Sequence, residues 1–362
     1  MERSLESILV TGGSGFIGSN FIRHLLAQEG FSGRIVNADA LTYAGNPLNL
    51  ADLQDDERYT FIQADIRDEE AVARLFSEYE VDTVVHFAAE SHVDRSIFGP
   101  RDFITTNVMG TFTLLEAARE AWGDRPDVLF HHVSTDEVYG SLGDTGAFLE
   151  TTAYDPKSPY SASKAGSDHL VRAWAHTFHL PVTISNCSNN YGPYQFPEKL
   201  VPVMILNMVE GKPLPVYGQG LNVRDWLYVG DHAQAIWTIL QHGPAGETYN
   251  VGGENEWRNI DLVKHLCDVV AKQTGEPEDD YLRLITYVTD RPGHDHRYAI
   301  DCAKIKRELG WRQAHDFPSG LSETVAWYLA NTEWIASVRS GEYRTWMETN
   351  YAGRGSVNDH GR

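Results

Sequence analysis

Cysteine is scarce in this chain, and the few that occur exclude two classes of protein. Three cysteines are present among 362 residues, at Cys187, Cys267 and Cys302. An odd number of widely separated cysteines fits neither a disulfide framework nor a Cys-x-x-Cys metal or redox pair. We therefore expect reduced thiols and a cytoplasmic protein.

Positive charge and long apolar runs are lacking as well. The chain has 30 Lys and Arg residues against 51 Asp and Glu residues, a formal net charge of −21. A nucleic-acid or anionic membrane partner requires a basic face, so neither partner is expected. No apolar run approaches the roughly 18 residues of a membrane span. Residues 1–7 are too few and too acidic for a signal peptide.

A metal site is not expected either. The pairs His131-His132 and His294-x-His296 are not accompanied by the convergent spacing of cysteines or acids that a metal ion needs.

The order of apolar and amphipathic segments indicates an α/β fold. Short apolar runs alternate with amphipathic stretches through residues 1–188, the pattern of βαβ units in a Rossmann-type, doubly wound parallel sheet. From about residue 189, clustered prolines and glycines indicate a smaller α/β lobe, residues 189–352, which we expect mainly to bind substrate. The polar tail, residues 353–362, is predicted to be disordered.

A glycine-rich turn follows the first predicted strand and opens the first predicted helix. In the run Thr11–Gly18, Gly12 allows the turn, Gly15 allows the backbone to approach a pyrophosphate, and Gly18 allows close packing of helix and sheet. The pyrophosphate of a dinucleotide would then lie at the helix N-terminus.

Two acids near this turn are candidates for contacts with the adenosine half of the cofactor. Asp39 ends the second predicted strand, where a carboxylate can hold the ribose hydroxyls and repel a 2′-phosphate. This favours NAD over NADP. Asp65, followed by Ile66, is placed to read an adenine edge, and a position near a helix N-cap is the alternative.

Tyr160 and Lys164 indicate hydride chemistry on an alcohol or a sugar. They are one helical turn apart, so both side chains face the same way. The ordinary pKa of tyrosine is about 10, and a lysine ammonium nearby favours the phenolate that a base requires. The same ammonium can hold the nicotinamide ribose.

Two adjacent acids, Asp136 and Glu137, indicate a further step. Simple alcohol oxidation needs no such pair, whereas elimination of water needs an acid and a base side by side. Repulsion between neighbouring carboxylates raises one of their pKa values and so divides the two roles. The alternative is that both acids lie on an exposed loop after a strand.

Together, the glycine-rich turn, the run Ser134–Glu137 and the Tyr160/Lys164 pair resemble the extended short-chain dehydrogenase/reductases. Within them the pattern is similar to the dTDP-glucose 4,6-dehydratases, and the resemblance covers the chain from about Ile8 to Tyr328. The further matching stretches are Phe87–Ser96, Asn186–Pro193, Phe196–Leu200, Arg224–Trp226 and Asp290–Asp295. One departure is Gly230, where an acid is usual; it lies outside the proposed site.

The resemblance implies a reaction in three stages, with NAD as a tightly held cofactor. Tyr160 takes the proton of the sugar 4-hydroxyl as hydride leaves C4, and Thr135 bonds the 4-oxygen. Glu137 then removes the C5 proton as general base, and Asp136 protonates the departing 6-hydroxyl as general acid. Hydride returns to C6, which gives dTDP-4-keto-6-deoxyglucose and water for deoxysugar (rhamnose-type) biosynthesis.

The resemblance also implies two sets of binding residues and a homodimer. The residues expected at the cofactor are Gly12, Gly15, Phe16, Ile17, Gly18, Asp39, Leu41, Thr42, Asp65, Ile66, Phe87, Ala88, Ala89, Ser91, Thr106, Ser134, Tyr160, Lys164 and Asn190. The residues expected at the nucleotide sugar are Ser91, Thr135, Asn189, Glu198, Lys199, Leu200, Pro215, Tyr217, Arg224, Asn259, Arg291, His294 and Tyr298.

Two other functions stay open at this point. A nucleotide-sugar 4-epimerase or decarboxylase of the same family would share the glycine-rich turn and the Tyr/Lys pair, but such enzymes usually lack the adjacent acids. A non-catalytic NAD-sensing regulator would have no reason to keep Tyr160, Lys164 and both acids.

Overall fold

A seven-stranded parallel sheet forms the centre of the computed structural model, which describes residues 3, 5–291 and 293–339. The strand order is β10-β6-β5-β4-β1-β2-β3, and every pairing is parallel. The strands are β1 (Ser7–Thr11), β2 (Arg34–Asp39), β3 (Tyr59–Gln63), β4 (Thr83–His86), β5 (Leu129–Thr135), β6 (Val182–Cys187) and β10 (Thr248–Val251). The order reverses direction at β1, as in a doubly wound sheet.

Helices cover both faces of this sheet. They are α1 (Phe16–Leu26), α2 (Glu69–Tyr79), α3 (Val93–Phe98), α4 (Pro100–Phe103), α5 (Thr111–Trp122), α6 (Pro159–Phe178) and α8 (Val229–His242). Leu9 of β1 packs in one core with α2, α5 and α6, whereas Ile8 and Val10 pack in another with α1 and α8. Alternate residues of a buried parallel strand therefore supply opposite cores, and the Rossmann-type fold predicted from the sequence is confirmed.

The rest of the chain forms a smaller lobe. Its strands are β7 (Asn189–Tyr191), β8 (Leu214–Tyr217), β9 (Val223–Tyr228), β11 (Glu256–Arg258) and β12 (Ile285–Val288). Its helices are α7 (Leu200–Val209), α9 (Asn259–Thr274), α10 (Glu278–Leu282), α11 (Ala303–Leu309), α12 (Phe317–Ala330) and α13 (Thr332–Val338). One core cluster joins β8 to α7, α9, α12 and α13.

The two parts of the chain are interleaved. Strand β10 pairs with β6 at the edge of the large sheet, and α8 packs against α1, although both follow residue 188. The division at residue 188 stays a prediction. Strand β10 and helix α8 follow that residue in the chain but pack with the elements of the first unit. The tail at residues 353–362 lies outside the described residues.

No helix among the described residues is long and apolar enough to cross a membrane. Within the same residues, no group of three or more His, Cys, Asp or Glu side chains is arranged to hold a metal ion.

Candidate active site

The glycine-rich turn is shaped by close approaches of the backbone. Gly12 has a φ of +71°, and a Cβ added there would lie 2.6 Å from the Ala88 amide nitrogen. A Cβ on Gly18 would collide with the carbonyl oxygen of Gly12. Gly15 is the N-cap of α1 and has no side chain, so the first amide groups of the helix can donate to an anion. This cradle fits a dinucleotide pyrophosphate.

Asp39 lies beside this turn at the end of β2. Its carboxylate accepts hydrogen bonds from the amides of Ser14 (3.0 Å) and Leu41 (2.8 Å), and burial raises its pKa. These bonds hold the side chain at the edge of the cavity. Leu41 itself does not line the cavity; its contribution is the amide that orients Asp39.

A cavity of about 560 Å³ extends from the glycine-rich turn to the ends of β5 and β6. Apart from Leu41, every residue predicted at the cofactor lines it: Gly12, Gly15, Phe16, Ile17, Gly18, Asp39, Thr42, Asp65, Ile66, Phe87, Ala88, Ala89, Ser91, Thr106, Ser134, Tyr160, Lys164 and Asn190. Local motifs scattered over the first half of the chain thus converge on one site, because parallel strands end at a common edge.

Asp65 lines the cavity but is paired with a neighbour. Its carboxylate accepts from Arg67 at 2.6 Å, and that hydrogen bond lowers the pKa of Asp65. The N-cap of α2 is Asp68, which accepts from the Ala71 amide at 3.0 Å. The alternative role near a helix N-cap therefore belongs to Asp68.

The acid pair begins a short 3₁₀ helix, Asp136–Tyr139, directly after β5. The Thr135 hydroxyl accepts from the Glu137 amide (3.3 Å) and donates to Oδ1 of Asp136 (3.4 Å). Asp136 is 2% exposed, and Glu137 lines the cavity. The alternative of an exposed loop is therefore wrong, because the turn after β5 folds the acids inward.

The surroundings of the two acids differ. Burial raises the pKa of Asp136 well above its ordinary value, and the negative charge of Glu137 raises it further. Burial also raises the pKa of Glu137, but three cations oppose this rise: Arg291, Arg224 and Lys199. Asp136 is thus suited to donate a proton and Glu137 to accept one.

Tyr160 and Lys164 lie on the first turns of α6, whose N-terminus is capped by Ser158. A lowered pKa was expected for Tyr160 beside Lys164, but in this structure the net shift of that pKa is upward. Burial and the charge of Glu137 raise that pKa well above its ordinary value, and a hydrogen bond with Thr135 offsets only part of the rise. The Lys164 ammonium donates instead to the carbonyl of Val133 at 2.9 Å.

The residues predicted at the nucleotide sugar fall into three groups. Ser91, Thr135, Asn189, Glu198 and Lys199 line the cavity. A second group, clustered near Glu137, consists of Tyr217, Arg224, Arg291, His294 and Tyr298. The remaining three, Leu200, Pro215 and Asn259, lie on α7, β8 and α9 and do not line the cavity.

The second group is held together by charge and ring contacts. Arg224 lies 4.3 Å from the ring centre of Tyr298. Asp94 accepts from Arg291 and from the Tyr217 hydroxyl, each at 3.0 Å. The two arginines therefore bring positive charge close to Glu137, in a protein that is acidic as a whole.

Sequence reasoning missed several cavity residues. Cys187 was interpreted only as a reduced thiol, yet it ends β6 and lines the cavity. Glu90, Gln195 and Phe196 line it too. The sequence pattern predicts a strand over Val182–Ser185, and the position of Cys187 just beyond its carboxyl end was the available signal.

A Rossmann sheet with this glycine-rich turn, a Tyr-x-x-x-Lys helix and a second lobe defines an extended short-chain dehydrogenase/reductase acting on a nucleotide sugar. More closely, the chain belongs to the family described as GDP-mannose 4,6 dehydratase, whose model matches residues 9–324. Gly230 lies within α8 and outside the cavity lining, so its departure from the family pattern leaves the site intact.

Individual proteins similar to this chain include dTDP-glucose 4,6-dehydratases and a nucleotide-sugar epimerase. The chain is 56% identical to dTDP-glucose 4,6-dehydratase 1 of Escherichia coli (strain K12), over 96% of this chain and 99% of that protein. The crystal structure of DesIV, a dTDP-glucose 4,6-dehydratase from Streptomyces venezuelae with NAD and TYD bound, is 48% identical with a TM-score of 0.84. The alignment covers 91% of this chain and 98% of the DesIV chain. The structure of a UDP-glucose 4-epimerase from Thermus thermophilus in complex with NAD is 29% identical, with a TM-score of 0.79. The alignment covers 90% of this chain and 99% of the epimerase.

Proposed function

We propose that this chain catalyses the NAD-dependent dehydration of dTDP-glucose to dTDP-4-keto-6-deoxyglucose, a hydro-lyase reaction of deoxysugar biosynthesis. The observation that carries the proposal is the pair of acids at the end of β5: Asp136 is buried, and Glu137 lines the cavity together with Tyr160. The proposal is supported by the 56% identity, over 96% of this chain, to proteins named dTDP-glucose 4,6-dehydratase.

The cofactor site is formed by residues of the first unit. The amides at the start of α1 would hold the pyrophosphate of NAD, Asp39 would hold the adenosine ribose, and Lys164 would hold the nicotinamide ribose. When bound, NAD supplies the hydride acceptor for the sugar C4 and the hydride donor for C6. A related structure from Bacillus anthracis is also a complex with NAD.

Oxidation at C4 requires Tyr160 to accept a proton. The phenol is buried, and its hydroxyl lies in hydrogen-bonding reach of Thr135. Thr135 positions the sugar 4-oxygen between itself and Tyr160. Because burial and Glu137 disfavour the phenolate, the positive charges of Lys164 and of the oxidised cofactor supply the opposing stabilisation.

Dehydration uses the acid pair. The 4-ketone acidifies the C5 proton, which Glu137 removes, while the C6–O bond breaks and the oxygen takes the proton of Asp136 to leave as water. Oδ2 of Asp136 has no hydrogen-bond partner among the described residues, so this oxygen is the one we assign to the 6-hydroxyl. Glu137 returns its proton to C5 as the cofactor would return the hydride to C6. The proton that Tyr160 gained from the 4-hydroxyl balances the one that Asp136 gave up to water.

The second lobe supplies positive charge for the diphosphate. Arg224 is 5% exposed and stacks on Tyr298, which fixes the guanidinium in place. Arg291 and Lys199 add charge near Glu137. Arginine binds phosphate oxygens through several fixed donors, so we assign the diphosphate to these side chains and to Tyr217.

A 4-epimerase remains the second candidate because the fold accommodates one, as the Thermus thermophilus neighbour illustrates. A single mass measurement separates the two activities, since dehydration removes water from the sugar and epimerisation changes no mass. A non-catalytic NAD-sensing protein would bind NAD and turn over neither substrate.

Product analysis tests the proposal. The protein loaded with NAD is incubated separately with dTDP-glucose, UDP-glucose and GDP-mannose, and products are resolved by mass spectrometry. We expect loss of water from dTDP-glucose in preference to the other two, without added reductant. Preferential dehydration of GDP-mannose would correct the substrate, and no loss of water from any of them would contradict the proposal.

We also infer a cytoplasmic homodimer. Large apolar side chains are exposed along one stretch of helical segments, at Ile97, Phe98, Ile104 and Met109. Apolar surface of this kind suits contact with a second copy of the chain. Sedimentation velocity checks this inference: a dimer is expected, and a monomer at micromolar concentration would contradict it.

A further inference from the structure

A buried network surrounds Lys164 on the side away from the cavity. The Lys164 nitrogen lies 3.4 Å from Nε2 of His132, and the same His132 nitrogen lies 3.1 Å from Oδ1 of Asp168. Lys164 is 4% exposed, and the side chains of His132 and Asp168 are fully buried. A charged ammonium in such a place is costly unless an anion compensates it.

The carboxylate of Asp168 is the anion that compensates the charge of Lys164. It follows Lys164 by one turn of α6. The hydroxyls of Ser134 and Tyr154 both donate to its Oδ2 at 2.8 Å, and Arg172 donates to the Tyr154 oxygen at 2.9 Å. Although burial opposes ionisation, the contact with His132, the charge of Lys164 and the hydrogen bond from Ser134 leave the pKa of Asp168 below its ordinary value.

Apart from Arg172, the other titratable groups around Lys164 and Asp168 are uncharged near neutral pH. Burial lowers the pKa of His132 to about 4 and that of His86 well below its ordinary value, and it raises the pKa of Cys187 to about 12. The pKa values of the Tyr154 and Tyr160 phenols are also raised. Among the described groups near Lys164, Asp168 is therefore the compensating anion.

We propose that Asp168 is a positioning residue for the reaction: its carboxylate is the counter-ion that keeps the buried ammonium of Lys164 charged and fixed beside Tyr160. Asp168 does not line the cavity and acts through Lys164 and His132. The inference rests on the proposed function, because it assigns Lys164 to the stabilisation of Tyr160 and to the cofactor ribose.

The pH dependence of Asp168→Asn tests the proposal through activity. Removing the anion favours the neutral amine of Lys164, so the alkaline limb of kcat/KM moves to lower pH, by about one unit or more for the loss of a buried negative charge that raises the pKa of Lys164. The acidic limb stays, because it reports the ionisation of Glu137, and Asp168 is not among the groups that shift the pKa of Glu137. A folded, NAD-loaded variant with an unshifted alkaline limb would overturn the proposal.

Two variants control for structural damage. Ser167→Ala removes an uncharged buried hydroxyl that lies 3.3 Å from the same His132 nitrogen, so it should leave both limbs in place. Asp168→Glu retains the negative charge and should restore the alkaline limb. A limb shifted equally in all three variants would indicate general disturbance of α6 and would overturn the proposal.

A direct titration of Lys164 keeps the test independent of activity and of the folding of any Asp168 variant. The NAD-loaded protein is prepared with ¹³C-labelled lysine, and the Lys164 signal is identified by its loss in Lys164→Met. We expect an ammonium at pH 8; a neutral amine at that pH would overturn the proposal. If dTDP-glucose were not turned over but Lys164 titrated as expected, the proposed function would fail and the assignment of the counter-ion would stand.

Discussion

Replacing Asp136 by asparagine tests the division of labour between the two acids. Asp136 is 2% exposed, and burial with the nearby charge of Glu137 raises the pKa of its carboxyl well above the ordinary range. Asparagine has a similar volume, no charge and no acidic proton. We therefore expect Asp136→Asn to retain the fold and NAD binding while it loses the general acid.

The size of the effect follows from what a general acid contributes. Proton transfer by a positioned side chain accelerates a reaction about 10²–10⁴-fold, which corresponds to about 2.7–5.4 kcal/mol of barrier. Dehydration should slow by that factor. Oxidation at C4 depends on Tyr160 and should continue, so the 4-keto-glucose intermediate should accumulate together with reduced cofactor.

Rapid mixing measures both steps in one experiment. Nicotinamide absorbance reports oxidation at C4, and quenching with borodeuteride followed by mass spectrometry traps the intermediate. Asp225→Asn is the matched control. Asp225 is another buried acid whose charge reaches Asp136, but both of its carboxylate oxygens accept hydrogen bonds from backbone amides, those of Gly253 and Asn255, whereas Oδ2 of Asp136 has no hydrogen-bond partner among the described residues. The control should accumulate no intermediate, and dehydration by Asp136→Asn at the wild-type rate would refute the role of Asp136.

Three further predictions concern the cofactor site, the pH profile and stability. Gly12→Ala should weaken NAD binding at least tenfold in calorimetry, a minimum of about 1.4 kcal/mol, because φ is +71° and the new Cβ meets Ala88. Arg291→Met should move the acidic limb of kcat to higher pH. Arg291 lowers the pKa of Glu137, so its removal raises that pKa, and a general base must be ionised to act. An unshifted limb would count against Glu137 as the base. Leu266→Ala, at a fully buried position of the second lobe, should cost about 2–5 kcal/mol and lower the melting temperature, with little change in NAD affinity.

Helices with local start and stop signals were predictable from sequence. The sequence pattern predicts helices over Glu69–Tyr79 and Asn259–Thr274, and the helices of the structure have those bounds. Asp68 caps the first of them, and Gly275, with a φ of +79°, ends the second. Side chains and glycines at helix ends act locally, so they can be read without knowledge of the fold.

The start of α5 was not predictable in this way. The sequence pattern predicts a helix from Asn107 to Glu120. In the structure the segment Ile104–Gly110 is π-helical, and the α-helix begins at Thr111. The side-chain amide of Asn107 donates to the hydroxyl of Ser163 in α6 and to the backbone carbonyl of Glu90. Because these partners come from other segments, periodicity within the helix could not reveal the change.

The site shows the same contrast. The residues near the glycine-rich turn and Tyr160 belong to motifs with fixed spacing, and they converge as predicted. The pairing of Asp94 with Arg291 joins positions 197 apart in the chain, and no local pattern predicts it. The raised pKa of Tyr160 likewise depends on burial and on Glu137, which only the folded chain brings together.

Transfer of deuterium within the sugar tests the central claim most directly. The NAD-loaded protein is given dTDP-glucose deuterated at C4, and the product is analysed by mass spectrometry and NMR. The account predicts dTDP-4-keto-6-deoxyglucose with the deuterium at C6, because the hydride removed from C4 is returned to C6 before the product leaves. A dehydrated product without deuterium at C6 would contradict it.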